Sequence, residues 1–513
     1  MAHRAVALGP LRWTGTAAAV LVVALVLGTL AAVASRAGSG AALASADVAA
    51  VLFTLQQAAV SAVLSVALAV PVARALARRR FAGRRALVAL MGAPFILPVI
   101  VAVFGLLAIF GRGGLLNAGL GALGLGPVSV YGFGGVVLAN VFFNLPLATR
   151  LILQGWSAIP AERFRLAATL NAPVGRLLER PMLRDVLPGA ALAIFLICLA
   201  SFAVALILGG GPRATTVEVA IFQALRFDFD PAKAALLALV QVALCTVAAG
   251  LAGLVTVPAA FGPGLDRVPA RWDGRGRGAR LADGAAIALA AAFLLAPLAM
   301  VVAQGFVGLG QLPLQVWPAA LRSLAVALSA SVLAVGLALA MALRGGALVQ
   351  VAGVLPLASS ALVMGTGLFV LSHGWLDPGH IALPATALVN AAASLPFAFR
   401  ALAPAVGRIE AAHGPLADTL GLTGWPRLRW LYLPRLRGEL GFAAGLSAAL
   451  SVGDLGVITL FAGPDSATLP LVMYRLMGSY RLQAAAGVAL MLLAMALAVF
   501  WAFDRGGRGH AAA

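Results

Sequence analysis

Charge is scarce in this 513-residue chain: only 10% of its residues are Asp, Glu, Lys or Arg, against about 25% in an average soluble domain. That scarcity, beside 62% hydrophobic residues, excludes an ordinary globular protein, because too little polar surface remains to face water. Lysine is nearly absent. Lys233 stands alone and is followed by Ala234, so a nucleotide-cradling loop of the Gly-Lys-Ser/Thr type is excluded. Cys198 and Cys245 each sit inside an apolar run and read as small buried hydrophobes. They give no support for a disulfide or a metal site. The histidines (His3, His373, His380, His413 and His510) form no ligand-spaced cluster. No nucleophile–base pair stands out either, so the sequence predicts no catalytic, cofactor or metal site.

What is present is long apolar segments. They fall near 14–34, 51–73, 86–110, 131–149, 188–208, 233–257, 282–304, 321–343, 349–372, 381–399, 440–462 and 483–503. Each is long enough for a helix across a hydrocarbon core, which takes about 20 residues. Barrel strands would instead alternate over about 10 residues. The expected fold class is all-α and polytopic, with about twelve transmembrane helices. The net charge of +19 sits in clusters between the runs, at 74–85, 150–187, 258–281, 400–439 and the C-terminal tail. That placement fits loops facing anionic lipid and argues against nucleic acid. Arg36, Arg112, Arg213, Arg226, Lys233, Arg322, Arg475 and Arg481 fall on the other side, which puts both termini in the cytoplasm. The stretch from Thr16 to Ala34 follows Arg4 and Arg12, and Ala44-Ser45-Ala46 could be cut as a signal-peptide site. The apolar stretch is longer than a usual signal core and reads better as a retained first helix.

The chain repeats itself. Leu145-Pro146 with Arg150 matches Leu395-Pro396 with Arg400, an offset of 250. Ala167, Thr169 and Leu170 match Ala417, Thr419 and Leu420 at the same offset. Gly211-Pro212 and Thr216 match Gly463-Pro464 and Thr468 at 252. Residues 1–257 and 282–513 are thus expected to be two repeats of six helices, joined by a basic linker at 258–281. Because six is even, both insert with the same orientation, and a path should lie between them. The largest non-membrane pieces, 150–187 and 400–439, occupy the same place in each half. Each is expected to hold a short amphipathic helix, a break and a basic stretch. Duplicated detail in loops, which usually vary freely, points to a docking role.

These loops resemble the binding-protein-dependent, MetI-like permeases of ABC importers. The matching residues are Ala167, Thr169, Leu170 and Asn171 in the first copy and Ala417, Thr419, Leu420 and Gly421 in the second. The acidic residue usual in that family is absent from both, Asn171 stands where Gly is usual, and only the second copy keeps Leu433-Pro434. Over nearly the whole chain the sequence is similar to the fused permeases of Gram-negative thiamine and thiamine pyrophosphate importers. The most specific stretches are Ser201-Phe202-Ala203, Leu208 to Thr216 with Glu218, Asp228 to Ala235, Leu450 to Val457, Thr468-Leu469-Pro470 and Gly478 to Arg481. The resemblance implies an inner-membrane translocation subunit that moves thiamine or its phosphates. It implies two partners: a cytoplasmic ABC ATPase homodimer, which uses the ATP and Mg, and a periplasmic thiamine-binding protein. It gives the two loops the role of ATPase-coupling sites.

Asp454 lies inside an apolar run after Ser451 and Gly453. An acid there costs roughly 2.5–3.5 kcal/mol by insertion scales and should face a cavity or a partner. With Ser201 and Ser451 it is a candidate for the translocation path, where a carboxylate could attract the thiazolium cation. The alternative is a hydrogen bond between helices. At offset 250 its counterpart is Val204. Gly210, Gly211, Thr216, Glu218, Thr468 and Tyr480 are candidates for the surface that receives the binding protein, or else only shape a loop. Thr215-Thr216-Val217-Glu218 has capping-box spacing, and Asp230-Pro231 reads as an N-cap followed by Pro at N1. Rival readings keep the architecture with ferric iron, another cation or a polyamine as cargo, or make the chain an ion-coupled transporter. The latter would need more intramembrane ionisable groups than Asp454.

Overall fold

The computed structural model describes residues 11–37, 43–92, 96–209, 211, 214–253, 271–274, 276–372, 375–463 and 465–508. Among the described residues there are helices and no strands. Among the described residues eleven helices are long and apolar enough to cross a membrane, or up to twelve if Ala347–Ala358 and Ala361–Ser372, bent by 91°, make one span. The all-α polytopic expectation therefore holds, and each predicted apolar run overlaps one of these helices or the bent pair.

The first six crossings begin with α1 (Leu11–Arg36) and α2 (Ser45–Arg78). The third run is broken into Arg84–Leu90 and α3 (Val99–Phe110), with Pro98 as the N-cap of α3. Then come α4 (Phe133–Ala158), the short α5 (Ala161–Thr169) and α6 (Arg180–Leu199). After Ala200 and Ser201 the chain resumes as α7 (Phe202–Leu208), followed by the short α8 (Val217–Arg226) and α9 (Pro231–Gly253). Asp230 caps α9 as expected, its Oδ1 accepting the Lys233 N–H at 2.9 Å.

The second set repeats this order. It runs α10 (Arg277–Gly308), α11 (Val316–Arg344), α12 (Ala347–Val354) and α13 (Ala361–Ser372). It continues with α14 (Pro378–Thr419), α15 (Arg437–Val452), α16 (Gly456–Phe461), α17 (Leu469–Gly478) and α18 (Leu482–Arg508). One difference between the halves has a local cause. The counterpart of α5 is the end of α14, reached without a break. Pro160, which ends α4's continuation in the first half, is replaced by Glu410 in the second. The 42 residues of α14 at about 1.5 Å each reach well beyond a hydrocarbon core of about 30 Å.

The register of the repeat shifts after these helices. π-helical segments occur at Gly175–Glu179 and Leu428–Tyr432, and α6 and α15 end at Leu199 and Val452. Both pairs are 253 apart, so the second half carries three extra residues just past Gly421. On that register Asp454 stands opposite Ser201. The expected counterpart Val204 is corrected accordingly, because a constant offset of 250 overlooks the insertion.

The first helix of each half crosses to the other. α1 packs against α9 of its own half and against α11 and α13 of the second. α10 likewise packs against α18 and against α2 and α3 of the first. Small residues allow these approaches, as is usual for helix contacts in lipid. A Cβ on Gly367 in α13 would lie 2.5 Å from Thr29 in α1, and one on Gly105 in α3 would lie 2.5 Å from the Pro297 carbonyl in α10.

Candidate functional site

At the basic end of the bundle, α5 and α14 finish with the same geometry. The carbonyl of Ala167 accepts the Ala172 N–H at 2.7 Å, and that of Ala417 accepts the Leu422 N–H at 2.9 Å. Asn171 and Gly421 have φ of 47° and 64°. This is the Schellman ending, which needs a residue in the left-handed region just past the helix. Asn tolerates that region better than most side chains, which explains how Asn171 replaces the usual Gly. Thr169 and Thr419 donate their hydroxyls to Leu166 and Leu416 carbonyls at 2.9 and 2.7 Å. Ala167 and Ala417 are buried, whereas Leu170 and Leu420 are 68% and 65% exposed. Leu166, Leu416, Trp425 and Trp430 are exposed beside them. Each half thus presents a rigid helix end with bare apolar side chains.

The second of these ends is held from within its own loop. Arg427, fully buried, pairs with Glu410 at 2.7 Å and Asp418 at 2.5 Å. Tyr432 donates its hydroxyl to the other Glu410 oxygen. Burial works against the guanidinium charge, but hydrogen bonds to Asp418 and Glu410 raise its pKa above the ordinary arginine value. Burial and the Glu410 carboxylate push the Tyr432 hydroxyl upward. A Cβ at Gly414 would meet Glu410 at 2.7 Å, so glycine makes room for this cluster.

Between the halves lies a cavity of about 360 Å³, lined by Asn140, Asn144, Ser201 and Glu218 on one side and Phe397 and Asp454 on the other. Ser201 and Asp454 sit at the breaks before α7 and after α15. A break frees backbone groups, and the Gly456 N–H is taken by Asp454 Oδ1 at 3.2 Å. Asp454 Oδ2 is buried without a hydrogen-bond partner. The Ser201 hydroxyl donates to Asn140 Oδ1 at 3.0 Å, and Asn140 Nδ2 donates to Gln57 Oε1 at 2.7 Å. Ser451 does not line the cavity. It is buried and accepts from Asn390 Nδ2 at 2.9 Å. Sequence reasoning missed Asn140 and Asn390. Their signal was available: amides inside apolar runs, 250 apart, at positions where lipid would be costly.

At the opposite end, α8 and α17 are each pinned at their N-termini by a hydroxyl from a neighbouring helix. The Val217 N–H donates to Thr54 Oγ1 at 2.9 Å and the Leu469 N–H to Ser323 Oγ at 2.8 Å. The cap of α8 is Thr216, which accepts the Val219 N–H at 3.4 Å. The capping box expected from Thr215 and Glu218 does not form. Glu218 instead turns inward, 2% exposed, with Gln241 Nε2 at 3.5 Å. Thr216 and Thr468 are buried as well. These three residues therefore present no surface for a partner, contrary to expectation. Gly211 and Tyr480 are exposed, Tyr480 at φ 59°. Gly210 lies outside the described residues.

No protein-family model matches the chain. It is 40% identical over 474 residues to the "Thiamine transport system permease protein ThiP" of Salmonella typhimurium, covering 89% of this chain and 88% of that one. It is 38% identical over 480 residues to the protein of the same name from Escherichia coli, with the same coverage. The chain belongs to this permease family. A partial likeness runs to the "Molybdenum transport system permease protein ModB" of Azotobacter vinelandii, at 33% identity over 181 residues. That match covers 34% of this chain and 80% of that one, so a permease about the size of one half exists as a separate chain. Within the thiamine permease family this member is a multi-pass membrane protein, with paired helix ends on one face and a polar cavity among its helices.

Proposed function

We propose that the chain is the membrane-spanning subunit of an ATP-driven importer that carries thiamine and its phosphates across the inner membrane, with both termini cytoplasmic. Its two halves, 1–257 and 282–513, are joined by the linker 258–281. The chain itself is non-catalytic. A cytoplasmic ABC ATPase homodimer docks on the ends of α5 and α14, which act as coupling helices. A periplasmic thiamine-binding protein delivers cargo at the opposite face, near Gly211 and Tyr480. The observation that carries this reading is the duplicated helix end, with Leu170 and Leu420 bare in a chain that lacks any nucleotide-binding loop of its own.

The mechanism follows from that geometry. When the ATPase dimer closes, the two coupling helices are drawn together. A buried, hydrogen-bonded end such as that around Arg427 moves as a rigid piece, so displacement passes to α14 and α15. The break at Gly453–Leu455 then shifts relative to the break at Ala200–Ser201, and access to the cavity alternates. Asp454 lines the cavity with a carboxylate whose Oδ2, buried and unpartnered here, would turn to the thiazolium cation as the break shifts.

The test is reconstitution of the chain in liposomes with the ATPase and the binding protein. Labelled thiamine should accumulate only when all three proteins and ATP are present. Uphill accumulation by the chain alone would overturn the proposal.

A further inference from the structure

The first coupling helix is held differently from the second. On the register of 253, Val174 occupies the place of Arg427 and Glu179 that of Tyr432. The first half therefore lacks, within its own loop, the arginine that anchors the second. The linker supplies one. Arg271, its side chain 1% exposed, bonds to Glu179 at 2.6 Å and lies over the ring of Phe164 in α5, 4.6 Å from the centroid. Phe164 itself stands where the second half has Gly414. Trp272 packs into the small apolar cluster of Phe164, Ala167 and Val174. Asp273 joins Arg271 at 2.6 Å and Arg78 of α2 at 2.8 Å. The next residue's carbonyl, on Gly274, accepts from Arg79, and Arg79 pairs with Asp283 of α10 at 2.6 Å. Arg74 completes the ring on Glu179 at 2.7 Å, where Trp156 of α4 also donates.

We propose that Arg271, Trp272 and Asp273 form a clamp that makes the linker a working part of the first coupling helix. Through it, displacement of α5 reaches α10, the swapped first helix of the other half. Buried ion pairs of this kind are weak sources of stability but define one geometry, because each partner left alone is costly. The two coupling helices are thereby unequal: one is anchored by its own loop, the other by the joint between the halves. These residues are positioning groups, since none of them faces the cavity.

The inference rests on the reading that an ATPase docks on α5 and α14. It is tested in the full reconstituted complex by thiamine taken up per ATP hydrolysed, for Arg271→Gln and for Asp273→Asn. Asp273 is partly exposed, 19%, so its variant is the safer one for folding. The expected result for Asp273→Asn is unchanged chain abundance and ATPase co-purification, with uptake per ATP lowered about fivefold or more, the lower range of ordinary coupling effects. Arg271→Gln, which strips Glu179 of a buried partner, should show the same fall per ATP with less chain in the membrane. Uptake per ATP equal to that of the unaltered chain in both variants would overturn the clamp. Loss of the ATPase from both variants would also overturn it, since the segment would then serve docking alone. Failure of the unaltered complex to import thiamine would instead sink the functional reading on which the clamp is built.

Discussion

Asp454 shows how one residue can answer two demands. Its Oδ1 takes up a backbone N–H that the helix break exposes, while Oδ2 is buried without a hydrogen-bond partner in a residue that lines the cavity. Replacement with Asn keeps the first role and removes the charge. If a single contact of about 1.4 kcal/mol to the cargo cation is lost, uptake should fall about tenfold, with membrane abundance unchanged; a transport assay beside an immunoblot checks this. Glu179 makes a second prediction at this scale. Burial opposes its charge, but the hydrogen bond and charge of Arg271, with those of Arg74, outweigh burial and hold the carboxyl below the usual range. A depressed folded pKa means that the stabilisation is present above the unfolded value of about 4.3 and is lost as pH falls through the folded one. The unaltered chain should therefore lose thermal stability in mild detergent as pH drops below that window. Glu179→Gln should start less stable and show a weaker dependence there.

Among elements, the exchanged first helices matter most. α1 seats against α11 and α13, and α10 against α2 and α3, so neither half closes without the other's first helix. Backbone approach at these seams depends on glycine. Gly367→Val should force α1 away from α13, with an overpacking cost of about 1–3 kcal/mol. The expected readout is a lowered melting temperature and less chain in the membrane, while a substitution at Gly336, beside which nothing lies within 4 Å, leaves both unchanged. The breaks are the other decisive elements. Pro98 and Pro356 stand at those of the third and ninth crossings, and prolines are legible in a sequence. The breaks at Ala200–Ser201 and Gly453–Leu455 lack proline, and runs read by hydropathy alone pass straight through them.

For the whole molecule, the paired helix ends on one face predict a simple dependence. Leu170→Asp or Leu420→Asp alone should weaken ATPase co-purification, and the two together should abolish it. Both side chains are exposed C-caps, so the buried core is undisturbed and only a helix-dipole cost of about 0.3–1 kcal/mol is expected; a melting temperature that stays close to that of the unaltered chain separates docking from folding. By itself the sequence determined an all-α polytopic fold and pointed to the repeated helix ends near 167–171 and 417–421. These follow from composition, period and local chemistry, which act over a few turns of helix. Only the tertiary structure decided that the first helices change sides, that Asp454 answers Ser201 across the shifted register, that Glu218 turns inward, and that the linker reaches under α5. Lipid gives apolar helices little reason to prefer one neighbour over another. The choice rests on glycine seams and on ion pairs between residues far apart in the chain, which no local pattern records.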